Sequence, residues 1–149
     1  FALYLGIEAW RHSALPFPPL HTLLATADTL PPPRDWAELG KLWADKVKTE
    51  DWASDPDLSL ATLARKLGTN SGHLSRAINE GLGVNFATFV NDLRARHVAE
   101  MIAEGRREDL LDLALEAGFS SKASFNRAFA ASFAMAPSQW RKRQVSNHE

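Results

Sequence analysis

An internal repeat of apolar residues and glycines constrains the fold of this chain more than any other feature of its sequence. In the first copy, Leu60, Leu63, Ala64 and Leu67 lie at helical spacing and Gly68 follows them. The pattern returns 50 residues later, where Leu110, Leu113, Ala114, Ala117 and Gly118 take the corresponding positions. After one extra residue in the second turn, Leu74, Arg76 and Ile78 correspond to Phe125, Arg127 and Phe129. Each copy therefore predicts a short helix, a turn at the glycine and a second helix, which is the helix-turn-helix shape.

A long helix is predicted between the two copies, with Asn85 as its cap and Gly105 at its end. Its apolar stripe contains Phe86, Phe89, Val90, Leu93, His97, Met101 and Ile102, and its other faces are charged. At about 1.5 Å per residue this helix is roughly 28 Å long, close to the ~34 Å between successive major grooves on one side of a duplex. A further helix is predicted after Asp35, and no segment has the pattern of a strand. We therefore predict an all-α fold with two helix-turn-helix subdomains joined by one long linker helix.

Proline clusters at residues 16–19 and 31–33 divide the chain. We expect residues 1–34 to form an apolar, proline-rich N-terminal segment, residues 35–143 a bipartite helix-turn-helix domain, and residues 144–149 a C-terminal tail.

Because the sequence starts at Phe1, we expect it to be a fragment or a processed product. The opening FALYLGIEAW is too short to span a bilayer by itself. It is either a buried segment or the end of a longer membrane helix.

Charge and cysteine content limit the function classes that suit this chain. The 149 residues carry a net charge of −1 and include no cysteine, which excludes disulfide frameworks and thiolate metal sites. A reducing compartment fits this composition, so we expect a cytoplasmic location. The charge is uneven, because residues 120–143 contain five basic side chains and no acidic one. That stretch is locally positive, as the contact face of a nucleic-acid binder usually is.

Polar and basic side chains occupy the solvent face of the second helix in each copy. The first copy offers Asn70, Ser71, His73, Ser75 and Arg76, and the second offers Ser121, Lys122, Ser124, Asn126 and Arg127. Most of these groups can hydrogen-bond a base edge or a phosphate. The pattern therefore indicates binding to double-stranded DNA. For each arginine alone, a phosphate contact or an intramolecular salt bridge is the alternative interpretation.

The stretch ALEAGFSSKASFNRAF at residues 114–129 resembles the AraC/XylS family of transcription activators, whose members carry A-x-x-x-G-F-x-S and F-x-R-x-F in this register. The resemblance extends over residues 58–143. It implies a homeodomain-like, AraC-type bipartite fold, sequence-specific binding to promoter DNA and, in activators, contact with RNA polymerase. By position, it implies base-reading roles for Gly72, Ser75 and Arg76 in the first copy and for Lys122, Ala123, Asn126 and Arg127 in the second.

Four alanines depart from the family pattern. Ala134 stands where a glycine turn is common, and Ala136 stands where a serine or threonine usually caps the last helix. Ala130 and Ala131 replace residues that are often basic. We therefore expect modest intrinsic affinity and strongly salt-dependent binding that needs a dimer.

Two other function classes were weighed against DNA binding. The five histidines lack metal-ligand spacing, and neither H-E-x-x-H nor G-x-S-x-G occurs, so we expect no catalysis, cofactor or metal site. On the apolar stripe, His97 is expected to be a packed core residue. The second class is a protein-interaction module, because four tryptophans between Trp10 and Trp52 can build a homodimer or docking surface, or pack in a core.

The signal-sensing domain typical of such regulators does not fit into residues 1–34. We expect it upstream in the intact protein or on another protein. If Phe1–Trp10 ends a membrane helix, the intact protein is a membrane-anchored regulator.

Overall fold

The computed structural model describes residues 35–146, which are helical and contain no strand. The helices are α1 (Trp36–Thr49), α2 (Leu60–Lys66), α3 (Ser71–Arg76), α4 (Phe86–Ala103), α5 (Leu110–Glu116), α6 (Lys122–Phe133) and α7 (Pro137–Ser146). A 3-10 turn at Trp52–Ser54 precedes α2, and α3 continues directly into a π-helical segment at Ala77–Gly81. The all-α prediction is confirmed for these residues. The predictions made for residues 1–34 and for the last three residues lie outside the described part.

Side-chain caps begin the helices where the sequence places them. The Asp35 carboxylate accepts hydrogen bonds from the backbone N–H groups of the first turn of α1. Ser59 caps α2, Asn70 caps α3 and Asn85 caps α4 in the same way. Such caps satisfy backbone donors that have no partner inside the helix. The helix starts predicted at Asp35 and Asn85 are confirmed.

The two copies of the repeat fold alike. Leu63 and Leu113 are both fully buried, each in the core of its own subdomain. At the turns, the N–H of Thr69 donates to the Ala64 carbonyl at 2.9 Å, and the N–H of Phe119 donates to the Ala114 carbonyl at 2.9 Å. The turn glycines have φ of +71° and +91°, a region that L-residues rarely adopt. The repeat found in the sequence is therefore a repeat of structure, with one small core in each copy.

The linker helix α4 differs from its prediction, because it is buried on more sides than one apolar stripe provides. Phe89 and Val90 belong to the first core, whereas Ala95, Val98 and Ala99 belong to the second. The predicted stripe is confirmed for Phe89, Val90, Met101 and Ile102, but it is incomplete, because Arg94, Ala95, Val98 and Ala99 are buried outside it. A helix that serves two cores needs an apolar face for each, so one stripe does not account for its burial.

His97 is partly exposed and Arg94 is buried, which is the reverse of what the helical pattern favours. The His97 side chain is 37% exposed, and its Nδ1 lies 3.1 Å from Asp51 Oδ1, so the prediction of a packed core histidine is wrong. Arg94 is 9% exposed and is the buried charged residue of the described cores. Burial lowers the pKa of the Arg94 guanidinium, and the charge of Asp55 opposes that shift.

Two glycines bring α1 against the π-helical segment. A Cβ at Gly81 would lie 2.1 Å from the Trp36 carbonyl oxygen, and a Cβ at Gly40 would lie 2.8 Å from the Ala77 carbonyl oxygen. Backbone therefore packs directly on backbone at this interface. The sequence predicts a helix break at Gly81 and Gly83, and the π-helical segment ends at Gly81 as predicted. There the glycine permits close packing.

The described tryptophans pack in and around the cores. Trp43 and Trp52 lie against the first core and Trp140 against the second, each half-buried. Trp36 is half-buried and places its ring 5.8 Å from the His73 ring. Trp43, Trp52 and Trp140 therefore contribute to the packing of the cores, and a role of the tryptophans in a dimer or docking surface stays a prediction. None of the helices within residues 35–146 combines the length and the apolar character needed to cross a bilayer.

Candidate nucleic-acid interface

The second helix of the first subdomain, α3, presents a narrow polar face. Leu74 points inward with 1% exposure, while Gly72 and Arg76 are exposed. The Arg76 side chain is 65% exposed, and its Nε lies 3.9 Å from Glu80 Oε1. At this separation and exposure the ion pair is weak, because water competes for both charges. The guanidinium can therefore exchange Glu80 for a nucleic-acid acceptor at little cost.

The polar residues flanking Arg76 are engaged within the chain. The side-chain Oδ1 of Asn70 accepts the His73 backbone N–H at 2.8 Å, and Asn70 Nδ2 lies 3.3 Å from His73 Nδ1. Ser75 Oγ accepts a hydrogen bond of 3.1 Å from Asn79 Nδ2. Ser71, His73 and Ser75 are half-buried. These contacts hold the start of α3 in one arrangement and leave Arg76 as its most extended group.

The corresponding helix of the second subdomain, α6, has a wider exposed face. Lys122, Ala123, Asn126 and Arg127 are all exposed, whereas Phe125 is buried with 1% exposure. Ser121 caps the helix by accepting the backbone N–H of Ser124 at 3.3 Å. Ser124 Oγ in turn donates to the Ser121 carbonyl at 2.8 Å. The two serines thus shape the start of α6, and the four exposed residues form its outward surface.

Arg127 and Ser124 also border a cleft of about 650 Å³ beside the linker helix. The opposite wall consists of residues from the first subdomain and the first turns of α4, including Leu82, Val84 and Thr88. Arg127 therefore stands between the outward surface of α6 and the space that separates the subdomains. The neighbouring Ala131 also lines this cleft, so a small side chain there leaves Arg127 room to move.

Arg106 lies in a separate cluster, where it pairs with two carboxylates of the same chain. Arg106 donates to Glu108 and to Glu116, with nitrogen–oxygen distances of 2.7 Å to each. The hydrogen bonds to Glu116 and Glu108 raise the pKa of Arg106, and those from Arg106 lower the pKa of both carboxyls. This cluster joins the loop after α4 to α5. Its positive charge is neutralised locally, unlike that of Lys122 and Arg127, which have no ion pair among the described contacts.

The structure thus arranges the sequence-predicted residues in two groups. Exposed on the outer faces are Gly72 and Arg76 of α3 and Lys122, Ala123, Asn126 and Arg127 of α6. Engaged in caps and local contacts are His73, Ser75, Ser121 and Ser124, and Ser71 is half-buried at the start of α3. Asn79 was absent from the predicted set, although it is exposed one turn after Arg76. Its position four residues after Ser75, on the same face of the helix, is the signal that would have included it.

The two alanines at the end of α6 take the positions that the family pattern assigns to a turn. Ala134 ends the helix with φ +53° and ψ +24°, a left-handed conformation, and its N–H donates to the Ala130 carbonyl at 2.9 Å. Ala136 precedes Pro137 at the start of α7 and donates its N–H to Gln139 Oε1 at 3.3 Å. The turn is therefore built without the glycine and the hydroxyl that usually support it.

Comparison with protein families gives one match that spans more than half of the chain. A family model described as "Helix-turn-helix domain" matches residues 63–143. The match begins inside α2 and ends inside α7, so it includes both subdomains and the linker helix.

Curated relatives are regulators of transcription. An "Uncharacterized HTH-type transcriptional regulator" of Staphylococcus aureus (strain MSSA476) is 41% identical over 85 residues, which are 57% of this chain and 11% of that protein. The "Probable transcription factor PqrA" of Proteus vulgaris is 32% identical over 85 residues, which are 57% of this chain and 69% of that protein. The matched region thus spans about a tenth of the staphylococcal relative and more than two thirds of the Proteus one.

Solved structures share the fold. The C-terminal domain of AraT, a response regulator from Geobacillus stearothermophilus, superposes with a TM-score of 0.57 and 22% identity, covering 74% of this chain and 88% of that one. A DNA-binding transcriptional dual regulator from Escherichia coli K-12 gives a TM-score of 0.57 at 17% identity, covering 70% of this chain and 93% of that one.

Proposed function

Because this chain belongs to the AraC-type family of helix-turn-helix transcription regulators, we propose that it reads promoter DNA with α3 and α6 in successive major grooves and activates transcription. The observation that carries the proposal is the equivalence of the two subdomains. Each buries an apolar residue on the inner face of its second helix and leaves an arginine at the matching outer position, Arg76 in α3 and Arg127 in α6. Two such helices on one linker suit two grooves.

The exposed residues divide into base readers and backbone contacts. Arg76 and Arg127 can each donate two hydrogen bonds to the O6 and N7 of a guanine, and Asn126 can pair in the same bidentate way with adenine. Lys122 is exposed in the first turn of α6 and suits a phosphate as a point charge. Gly72 and Ala123 have small side chains and allow the backbone to approach the groove closely. Ala123 can also contact a thymine methyl group.

The capping residues support this surface from within. Asn70, His73 and Ser75 keep the start of α3 in position, while Ser121 and Ser124 do so for α6. A backbone N–H group at either helix start can contact a phosphate once the cap is in place. Their replacement should therefore weaken binding to all sequences alike, whereas replacement of Arg76 or Arg127 should relax the preference at one base pair.

Selection of bound genomic fragments at moderate salt tests the proposal. The full chain is compared with Arg76→Ala, with Arg127→Ala and with Arg107→Ala, a control that removes an exposed arginine from the loop after α4. We expect a motif with two blocks about one helical turn apart. Each recognition variant should lose the information in one block and bind the parent site about 5- to 150-fold more weakly, matching ~1–3 kcal/mol per bidentate contact. The control should retain the parent motif.

No enriched motif from a folded chain at any salt concentration would contradict the proposal and favour the protein-interaction alternative. Loss of both blocks in either single variant would contradict separate readout by the two helices. Activation is tested by transcription in vitro from the selected site with purified RNA polymerase, the partner that we propose for the bound complex. Repression of the same template would show that activation is the wrong direction.

The remaining expectations concern the intact protein and stay predictions. They are a homodimer on DNA, a sensing domain outside this chain, a tether through a preceding membrane segment, and a cytoplasmic location for the DNA-binding part. Sedimentation of the chain with and without its selected site measures the first. Fractionation of cells that express the intact protein measures the last two.

A further inference from the structure

We propose that Arg94 is a positioning residue that locks the two subdomains in one relative orientation, and so fixes the spacing between the two DNA blocks that the chain accepts. The DNA part of this inference rests on the proposed function. The structural part, one fixed orientation, does not.

Arg94 reaches from the linker helix into the first subdomain. Its Nε donates to the Ala53 carbonyl at 2.7 Å, and its Nη2 donates to the Asp55 carbonyl at 2.8 Å. Both acceptors lie in the loop between α1 and α2, where Ala53 belongs to the first core. A planar guanidinium fixes the directions of its donors, so two hydrogen bonds to two carbonyls define the position of the loop against α4.

The same guanidinium contacts the second subdomain. Its central carbon lies 6.0 Å from the centre of the Phe119 ring, and Phe119 is a buried member of the second core. Phe119 directly follows the turn glycine of the second helix-turn-helix. Arg94 therefore touches the loop before the first helix-turn-helix and the turn of the second, from the helix that joins them.

The backbone supports this contact beside Arg94. A Cβ placed on Gly118 would lie 2.7 Å from the Ser54 carbonyl oxygen, so the turn of the second subdomain packs directly on the 3-10 turn of the first. On the linker helix, Ser132 of α6 donates to Asp92 Oδ1 at 2.6 Å. The turn of the second subdomain thus meets the 3-10 turn of the first at close quarters, and the Arg94–Ala53 hydrogen bond beside it is buried, which favours a unique arrangement.

The neighbouring Arg96 offers a matched control. It lies on the same helix two residues later, and it pairs with Asp92 one turn away on its own helix, with Nε 2.8 Å from Oδ2. Its side chain is half exposed. Replacing Arg96 removes the same charge and the same type of side chain as replacing Arg94, and it leaves the two hydrogen bonds to the loop carbonyls and the Phe119 contact in place.

The first test measures orientation without DNA. Because the chain has no cysteine, the double substitution Ala61→Cys, Ala130→Cys places one spin label on α2 and one on α6, both at exposed positions. Double electron–electron resonance then gives the distribution of distances between the subdomains. We expect a narrow distribution in the parent and in Arg96→Met, and a clearly broader or two-peaked one in Arg94→Met. A folded Arg94→Met with the parent distribution would overturn the proposal.

If circular dichroism shows that Arg94→Met is unfolded, the same distance measurement on Arg94→Lys tests the proposal. Lysine keeps the charge and most of the stem but replaces the planar fork with one nitrogen, so it cannot hold the two carbonyls in the same geometry. Broadening in Arg94→Lys supports the proposal. A distribution identical to that of the parent overturns it.

The second test measures spacing on DNA. Duplexes carry the two selected blocks at the native separation and with one or two base pairs added or removed, and further duplexes carry one block alone. We expect Arg94→Met to reduce the preference for native spacing roughly 2- to 30-fold, the range for residues that couple two sites, while affinity for a single block stays unchanged. Arg96→Met should keep the parent spacing profile.

The two tests separate the inference from the proposed function. If no duplex binds the parent chain, the proposed function fails, and the resonance experiment still judges the orientation. If the parent binds but Arg94→Met keeps its spacing profile, the proposed link from orientation to spacing is overturned. An equal loss on single-block and two-block duplexes would reduce Arg94 to a residue of general stability, which also overturns the proposal.

Discussion

Ala134 is an alanine held in a conformation that suits glycine, and Ala134→Gly should stabilise the chain. Its φ of +53° lies in the left-handed region, where a side chain costs roughly 1–2 kcal/mol. Glycine removes that cost but makes the unfolded chain more flexible, which costs about 0.4–1 kcal/mol. The Ala134 side chain is exposed, so few packing contacts are lost. The expected net gain in the free energy of unfolding is therefore about 0.5–1 kcal/mol.

Urea denaturation of Ala134→Gly and Ala130→Gly measures this effect with its control. Ala130 is an exposed alanine inside the same helix, where glycine should reduce the free energy of unfolding by about 1 kcal/mol. The same alanine-to-glycine substitution should thus raise the free energy of unfolding at residue 134 and lower it at residue 130. If both variants lose stability to the same extent, α6 does not end in a left-handed residue and the reasoning is refuted.

Three other substitutions test further features of the turns and loops. Ala136→Ser should add about 0.5–1 kcal/mol to the free energy of unfolding in urea, because its hydroxyl completes a capping box with Gln139; a change below ~0.2 kcal/mol would count against that geometry. Arg106→Met should make the free energy of unfolding less dependent on pH in the acid range. Arg106 lowers the pKa of Glu108 and of Glu116, so both carboxylates stabilise the fold at a pH above their usual pKa of 4.5. This stabilisation is lost as the pH falls through the lowered pKa values. Urea curves between about pH 3 and pH 7 measure this slope, and equal slopes in variant and parent would disprove it. Gly81→Ala should lose several kcal/mol (about 2–5) in thermal or urea unfolding, since its Cβ would overlap the Trp36 carbonyl; a variant of parental stability would show that this packing is wrong.

The repeat was the most predictable part of the fold, for a physical reason. Helical spacing and turn glycines depend on residues close together in the sequence, so the spacing of Leu63 or Leu113 to its neighbours is enough to place it inside. The caps at Asp35 and Asn85 were predictable on the same ground. The candidate site was predictable in part, because the buried positions of a helix determine which of its other positions are exposed.

The features that escaped prediction depend on contacts between distant segments. Arg94 carries a charge on a helix, which by pattern belongs in water; its burial depends on carbonyls about 40 residues earlier. His97 fits an apolar stripe by spacing, yet Asp51 draws it toward the surface. The contact of Gly81 with the Trp36 carbonyl joins residues 45 positions apart, and nothing near Gly81 in the sequence indicates it. These features follow from tertiary packing and not from local pattern.

The linker helix belongs to both hydrophobic cores, and this sharing has a consequence for how the molecule opens. Phe89 and Val90 leave the first core, and Val98 and Ile102 leave the second, if α4 comes apart. Either subdomain can lose its outer helices while the other core still covers half of α4. The central amides of α4 should therefore exchange with solvent hydrogen last, through global unfolding alone. The complete loss of α4 thus requires both cores to open, although each subdomain can lose its outer helices separately.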